Sequence, residues 1–190
     1  MKKIGFIVVL YMVLTLLSCN EKEQNKYYHY ALMAYHEKDF EKSLVNVEKI
    51  SFFDGQYAEG QFLKGKILFF QNDYTRAEDI FEKLWVKKFG YESLIWQIRS
   101  LVLANSLDKA EKILLREIQR GSTDWRVFYY LSKIYKKQNK TEESILNLQY
   151  AEISLQEGKK VFDDLLLFWN EVQVLEKVEK YKAKKQCLEL

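Results

Sequence analysis

The sequence predicts an all-α protein, a right-handed α-solenoid of about four helical hairpins followed by a C-terminal capping helix. Three observations predict it: a small residue that recurs at a fixed interval, turn residues before it, and an apolar residue four places after it. The small residues are Ser43, Ala77, Ala110 and Ser144, at intervals of 34, 33 and 34 positions. This period is typical of stacked helical hairpins, because one hairpin cannot bury its apolar face alone.

Each small residue follows a triplet that predicts a tight turn between two helices. The triplets are Lys38-Asp39-Phe40, Asn72-Asp73-Tyr74, Asn105-Ser106-Leu107 and Asn139-Lys140-Thr141. The apolar residues that come four places after the small ones are Val47, Phe81, Leu114 and Leu148. Two antiparallel helices approach closely where one side chain is small, and a bulky neighbour one turn later fills the groove beside it. We therefore expect a first helix, a turn and a second helix in every unit.

The units resemble the tetratricopeptide repeat family, whose motif has an aromatic residue, Leu-Gly and Tyr on the first helix and Ala, Phe and Pro on the second. The resemblance covers roughly residues 24 to 158 and is strongest in the fourth unit. Its matching residues there are Phe128, Leu131, Ser132, Tyr135, Ser144, Leu148 and Ala151. In the third unit, Trp96 and Ser100 fit the aromatic and small positions only if the turn is shortened.

The family's proline is missing, since the chain contains none. Glycines near the ends of the four second helices, which tolerate positive φ, are expected to end those helices instead. They are Gly55, Gly90, Gly121 and Gly158. The hairpins would thus occupy residues 27–158, and residues 159–190 would form the capping helix and a tail.

The capping helix is expected from about Val161 to Lys185, with an apolar stripe at helical spacing. The stripe consists of Leu165, Phe168, Val172, Leu175 and Val178. Leu166 and Val178 fall where the repeat family has small residues, which favours a cap over a fifth hairpin. Further apolar residues widen the stripe, so this helix is either buried on two sides or partly in contact with a partner.

Residues 1–18 have the pattern of an export signal, with Lys2 and Lys3 before an apolar run from Ile4 to Leu17. The sequence Leu16-Leu17-Ser18-Cys19 resembles the lipobox of bacterial lipoproteins, which implies that Cys19 is lipidated and becomes the first residue. Residues 19–26 would be a polar tether of at most about 25 Å. An uncleaved membrane helix and an ordinary secretory signal are the alternatives.

Asn20 is not the aspartate that retains some lipoproteins in the inner membrane, so the resemblance implies the outer membrane, facing the periplasm. Without residues 1–18, 28 basic and 27 acidic residues leave a formal charge of +1, which argues against a nucleic-acid partner. With Cys19 lipidated, Cys187 has no partner within the chain, and no disulfide is expected.

No pattern of catalytic residues or cofactor-binding loop is present, so we predict neither an enzyme nor a cofactor. His29 and His36 lie seven residues apart on one predicted helix, but no pair of close metal ligands accompanies them. No metal site is therefore predicted.

In the repeat family the first helix of each hairpin lines a concave groove, which is where we expect a protein or peptide partner. Aromatic rings there would supply contact area, and cations would favour an extended segment with acidic character. The candidate residues are Tyr28, Tyr35, Phe62, Lys66, Phe69, Arg99, Tyr129, Lys133 and Lys136. The sequence thus predicts a non-catalytic, lipid-anchored adaptor or scaffold at the cell envelope.

Two alternatives remain open. The chain could bind a small ligand or lipid in an apolar cavity near Leu166 and Trp169, beside the closing helix. It could also be a subunit of an envelope assembly complex, which rests on the analogy of repeats and anchor alone.

Overall fold

A computed structural model describes residues 26–52 and 55–171, together with residues 179 and 182. Within this part of the chain the regular structure consists of helices, with no strand. The helices are α1 (26–36), α2 (Phe40–Val47), α3 (Tyr57–Phe70), α4 (Tyr74–Val86), α5 (Tyr91–Leu103), α6 (Leu107–Gln119), α7 (Trp125–Lys137) and α8 (Thr141–Glu171). The expected signal peptide, Cys19 and most of the tether lie outside the described residues, as does most of the chain after Glu171.

The chain divides into two compact units. Unit 1 ends at Ala104 and contains α1 to α5, and unit 2 begins at Asn105 and contains α6 to α8. None of the helices described in the two units is long and apolar enough to cross a membrane.

The four predicted turns share one backbone conformation. Lys38, Asn72, Asn105 and Asn139 have φ angles of 62°, 64°, 58° and 60°, which are left-handed. Asparagine tolerates this conformation better than most residues, and it occupies three of the four positions. At the first turn, the amide of Lys38 donates to the Tyr35 carbonyl and that of Asp39 to the Ala34 carbonyl. These bonds satisfy carbonyls that the end of α1 leaves open.

The residue after the left-handed one caps the second helix in two of the turns. The Asp39 carboxylate accepts from the Lys42 amide at 3.0 Å, and the Asp73 carboxylate accepts from the Arg76 amide at 3.2 Å. Such a cap satisfies a backbone donor that the first turn of a helix leaves unpaired. The sequence triplets therefore encode both the end of one helix and the start of the next.

The small residues are buried or half-buried on their helices, and the two serines form hydrogen bonds across their hairpins. Ser43, Ala77 and Ala110 are fully buried, and the Ser43 hydroxyl donates to the Ala31 carbonyl at 2.7 Å. In the last hairpin the Ser144 hydroxyl donates to the Ser132 carbonyl at 3.0 Å. A serine at this position therefore adds a hydrogen bond across the hairpin, whereas alanine provides close approach alone.

In the second hairpin, the space above Gly65 is filled by Phe81. A Cβ atom on Gly65 would lie 2.7 Å from Cζ of the fully buried Phe81 ring, closer than van der Waals contact permits. Phe81 also packs against Phe62 and Trp96, with ring centres 5.5 and 5.8 Å away. Glycine is thus required here by the close approach of an aromatic side chain.

The register predicted for the first helix of the third unit is wrong. In the other units the small residue of the first helix stands seven places before the left-handed turn residue, as Gly65 does before Asn72. Seven places before Asn105 is Ile98, which is fully buried, and not Ser100. The turn is not shortened, and a large side chain occupies this position.

Two expectations about the fourth unit are also corrected. Leu148 is 52% exposed, because the described residues contain no further helix to cover that side of α8. Gly158 does not end a helix, since α8 runs without interruption from Thr141 to Glu171. The expected division between residues 158 and 159 therefore falls within one helix, and no new helix begins near Val161.

The other glycines have different roles. Gly121 has φ of 82° directly after the cap of α6, and its amide donates to the Ile118 carbonyl, as expected of a terminating glycine. At the end of α4 this position is taken by Lys88, whose φ is 57°, while Gly90 precedes α5. Gly55 lies in the connector before α3.

Candidate protein-binding surface

Three first helices of unit 1 bring together the side chains that we call the cation–aromatic face: Tyr35 of α1, Lys66 of α3, and Trp96 and Arg99 of α5. Nζ of Lys66 lies 4.8 Å from the centre of the Tyr35 ring and 5.4 Å from that of Trp96. The Arg99 guanidinium carbon lies 4.0 Å from the Trp96 ring. These distances are within the range of cation–π attraction.

Helical spacing places these residues on one face. Trp96 and Arg99 are three positions apart on α5, so their side chains are neighbours on its surface. Lys66 follows Gly65, the glycine of the close contact with α4, and therefore lies next to the hairpin contact while remaining partly exposed. The same backbone pattern that packs the hairpins thus also orients this lysine.

The electrostatics of this face are unfavourable in the absence of an anion. Burial lowers the pKa of the Lys66 ammonium, the nearby Arg99 charge lowers this pKa further, and Glu92 partly opposes both effects. Among the described residues, neither Lys66 nor Arg99 forms an ion pair. Two cations are therefore held near each other over aromatic rings, with the Glu92 carboxylate close enough to raise the pKa of Lys66, and an anionic partner would add to that stabilisation.

Burial also raises the pKa of the Tyr35 hydroxyl, although the positive charge of Arg99 lowers it. The Tyr35 ring packs against Phe40 and Phe70, with centres 5.9 and 6.2 Å away. Phe40 and Phe70 stack nearly parallel, with an angle of 9° between their planes. This aromatic group fixes Tyr35 at one side of the face.

The other unit 1 residues that the sequence predicted are mainly packing residues. Phe69 is 7% exposed, and its ring lies edge-on to Trp96 and beneath Arg99, whose guanidinium carbon is 5.1 Å from the ring centre. Phe62 is half-buried between Phe81 and Phe89. Tyr28 packs against the cluster of Ala31, Val47, Leu63 and Ile67. These rings support the surface more than they present area to a partner.

Unit 2 has a smaller surface of the same chemistry on α7, which we call the α7 surface. Nζ of Lys133 lies 4.8 Å from the centre of the Tyr129 ring, and Trp125 lies 5.9 Å from the same ring. Lys133 and Lys136 are exposed, while Tyr129 is half-buried. The predicted residues of α7 therefore share one accessible face with Trp125.

Sequence reasoning missed Trp96, Trp125 and Phe70 as surface residues. The repeat motif gives Trp96 a packing position and does not indicate its contacts with Lys66 and Arg99. Trp125 stands four places before Tyr129, and this spacing could have identified it. Phe70, at the end of α3, has no such signal, because its contacts depend on α1 and α2.

Other kinds of site receive little support from the described residues. Within 26–52 and 55–171, no group of three or more His, Cys, Asp and Glu side chains could hold a metal ion. A surface pocket of about 540 Å³ on α6 is lined by charged and polar residues with one leucine: Asp108, Glu111, Lys112, Leu115, Arg116 and Gln119. The side chains of Leu166 and Trp169 lie outside the described residues, so the apolar cavity expected there stays a prediction.

Comparison with solved structures identifies the fold. MamA 41-end from Desulfovibrio magneticus RS-1 superposes with a TM-score of 0.59 at 18% sequence identity, covering 87% of this chain and 94% of that one. The chain has the fold of a tetratricopeptide-repeat protein. The structure titled MamA RS-1 ArsTM double mutant gives the same values. No family profile matches the sequence, and no curated protein is significantly similar to it.

These findings confirm the predicted fold class. At 18% identity the likeness concerns the fold, so the function must be argued from the surfaces described above.

Proposed function

We propose that this chain is a non-catalytic, lipid-anchored adaptor that binds a protein partner at the bacterial cell envelope. The observation that carries the proposal is the cation–aromatic face, where Lys66 and Arg99 lie near each other over Tyr35 and Trp96. A fold built from helical hairpins presents such a face on rigid elements, which suits recognition better than reaction.

The partner is an extended segment that carries carboxylates. A carboxylate near Lys66 and Arg99 would reduce their mutual repulsion and form charge-assisted hydrogen bonds with both. The Trp96 and Tyr35 rings would pack against the flanking side chains of that segment, since aromatic residues supply much of the contact energy in interfaces. Guanidinium and ammonium groups are therefore expected to select acidic over neutral segments.

The anchor part of the proposal rests on the sequence. Lipidation of Cys19 would hold the chain on a membrane by several acyl chains, and more than one chain makes such anchoring stable. We place the protein in the outer membrane, facing the periplasm, because Asn20 follows the cysteine. An adaptor in this position would keep its partner close to the envelope.

Quantitative co-purification from native membranes tests the binding part. The test variant is the full chain with Lys66→Gln and Arg99→Gln, which keeps side-chain length and removes both charges. The control is Lys42→Gln with Arg76→Gln, which removes one lysine and one arginine from exposed positions at the start of α2 and α4. Arg76 pairs with Asp73 at the surface, a contact of little energy.

We expect recovery of the partner to fall at least tenfold with the test variant and to stay at the wild-type level with the control. Charge-assisted hydrogen bonds are worth about 1.5–3 kcal/mol each, so the loss of two should be easily measured. Equal recovery with both variants would refute recognition through this face. The full chain with Tyr129→Ala and Lys133→Ala then shows whether the α7 surface contributes.

Intact-mass measurement of the purified chain tests the anchor. We expect cleavage before Cys19 and the added mass of acyl chains, and the Cys19→Ser variant should lose both. An uncleaved chain, or a cleaved chain without acyl mass, would contradict the anchor without affecting the binding test.

A further inference from the structure

One edge of unit 1 collects the ends of helices opposite the tight turns. The turns at 37–39 and 71–73 join α1 to α2 and α3 to α4, so α1 and α3 begin at the edge where α2 and α4 end. α5 begins at the same edge, since Tyr91 at its start packs against Trp85 near the end of α4. We call this the tether edge, because the chain reaches it from the N-terminal side at Lys26.

The tether edge carries three pairs of a lysine and an aromatic ring. Nζ of Lys49, after α2, lies 5.3 Å from the centre of the Tyr27 ring in α1. Nζ of Lys87, after α4, lies 5.5 Å from the Phe52 ring in the α2–α3 connector. Within α1, Nζ of Lys26 lies 5.7 Å from the Tyr30 ring.

Apolar side chains project from the same edge. Val86, the last residue of α4, is 74% exposed, and Phe52 is 63% exposed. Phe52 also lies edge-on to Tyr57 at the start of α3, with ring centres 5.1 Å apart. An exposed phenylalanine and valine beside lysines have the character of a surface that meets an amphipathic partner.

This edge carries exposed lysines together with two carboxylates in the first turns of its helices, Glu59 of α3 and Glu92 of α5. Lys26, Lys49, Lys87 and Lys88 are exposed, and in the described part of the chain none of them forms an ion pair. Glu48, the acidic residue directly before Lys49, pairs with Lys64 at 3.0 Å. The α2–α3 connector contains one more acidic residue, Asp54, which lies outside the described residues.

We infer that the tether edge rests on the headgroups of an anionic lipid bilayer. Aromatic rings prefer the headgroup level of a membrane, and lysine side chains extend from there toward lipid phosphates. The position of Lys26 favours a bilayer over an acidic protein as the occupant. From Cys19 to Lys26 the tether reaches at most about 25 Å, so an anchored chain keeps this edge near the lipid. The inference therefore rests on the proposed anchor.

This orientation would leave the cation–aromatic face accessible. Tyr35 lies in the last turn of α1, at the end away from the tether edge, and it packs there against Phe40 at the start of α2. A partner segment could therefore bind to Tyr35 and Lys66 while the helix ends at the other edge contact lipid.

Fluorescence quenching by brominated lipid tests the inference on the full chain purified from membranes. A bimane label is attached at Val86→Cys, at the tether edge, or at Thr75→Cys, eleven residues earlier on the same helix and about 16 Å away. Both chains carry Cys187→Ser, so that one free thiol remains when Cys19 is lipidated. They are reconstituted into vesicles of phosphatidylcholine, alone or mixed with phosphatidylglycerol.

We expect strong quenching at position 86 in anionic vesicles, weak quenching there in neutral vesicles, and weak quenching at position 75 in both. Replacing Lys49, Lys87 and Lys88 by Gln should abolish the difference between the two lipids. Each lysine near an anionic surface accounts for about a fivefold change, so three should shift the ratio of docked to undocked protein roughly a hundredfold.

Equal quenching at positions 75 and 86, or quenching at 86 that ignores lipid charge, would overturn the inference. Loss of quenching at 86 on addition of an acidic protein would indicate that the edge prefers a protein occupant and would also count against it. Intact mass separates this result from the anchor: a chain that carries acyl mass but shows no charge-dependent quenching at position 86 would overturn the inference and keep the anchor. Recovery of the partner by the chain with Lys49, Lys87 and Lys88 replaced by Gln separates the lipid contact from the binding proposal, because this chain keeps Lys66 and Arg99.

Discussion

The contact between Gly65 and Phe81 makes a stability prediction that opposes ordinary helix propensity. Alanine is favoured over glycine inside a helix by about 1 kcal/mol, so Gly65→Ala in α3 would normally stabilise the chain. Here the added Cβ would lie 2.7 and 2.8 Å from two atoms of the Phe81 ring. Phe81 is fully buried between Phe62 and Trp96, so the ring has little room to move.

Overpacking of a buried contact typically costs about 1–3 kcal/mol, and approaches of 2.7 and 2.8 Å to a confined ring place this contact at about 2–3 kcal/mol. After the gain of about 1 kcal/mol from helix propensity, we expect Gly65→Ala to destabilise the chain by about 1–2 kcal/mol net. Gly158→Ala is the matched control, because Gly158 lies inside α8 and a Cβ there would meet nothing within 4 Å. This control should gain about 1 kcal/mol from helix propensity.

Urea unfolding of the full chain, followed by circular dichroism, measures both variants. The urea midpoint of Gly65→Ala should lie below that of the wild type, and the midpoint of Gly158→Ala should lie above it. With a slope of about 2 kcal/mol per molar urea, the midpoints of the two variants should differ by about 1–1.5 M. Adding Phe81→Leu to Gly65→Ala should cost less than the sum of the two single changes, because the smaller side chain makes room for the Cβ. Gly65→Ala with wild-type or higher stability would refute the packing argument.

Three further changes test the turns and the cation–aromatic face. Lys38→Asn should raise the free energy of unfolding by about 1 kcal/mol, because asparagine tolerates the left-handed backbone there. An unchanged urea midpoint would contradict this. Lys140→Asp, directly before α8, should add about 1 kcal/mol by capping the helix, and alanine at the same position should not. The lowered pKa of Lys66 means that the unfolded chain binds more protons just below pH 10.5, so stability should rise with pH through that window. Lys66→Gln should remove this rise relative to the wild type, and parallel pH profiles of the two chains would count against it.

The hairpins could be predicted because their contacts depend on side-chain volume and turn chemistry, which are local in sequence. Ser43, Ala77 and Ala110 are fully buried where the period placed them. The register predicted for the third unit is wrong because it depends on a small side chain to mark the first helix, and Ile98 at that position is large and fully buried. The left-handed Asn105, seven residues later, was the better guide to register.

The length of α8 could not be predicted for a different reason. A glycine ends a helix where the backbone turns left-handed, as at Gly121, but within a helix it costs only about 1 kcal/mol. Nothing in the residues around Gly158 distinguishes these two cases. The exposure of Leu148 could not be predicted either, because burial of its side chain depends on a neighbouring helix and not on the local sequence pattern.

The candidate surface was predictable in part. Mapping the repeat onto the first helices placed Tyr35, Lys66 and Arg99 on one face, and the structure brings them together. It did not separate rings that face solvent from rings that pack, such as Phe62 and Phe69, because both kinds recur with helical spacing. The role of Trp96 became visible once three helices were in place.

Site-specific photo-crosslinking in the native envelope tests the central claim most directly. A photoreactive residue replaces Tyr35 in the full chain, and the control carries it at Thr75, an exposed position on α4. We predict one dominant adduct from position 35, whose crosslinked peptide is rich in Asp and Glu, and its loss when Lys66→Gln and Arg99→Gln are added. Adducts of equal yield from positions 35 and 75, or an adduct indifferent to the two cations, would contradict the account.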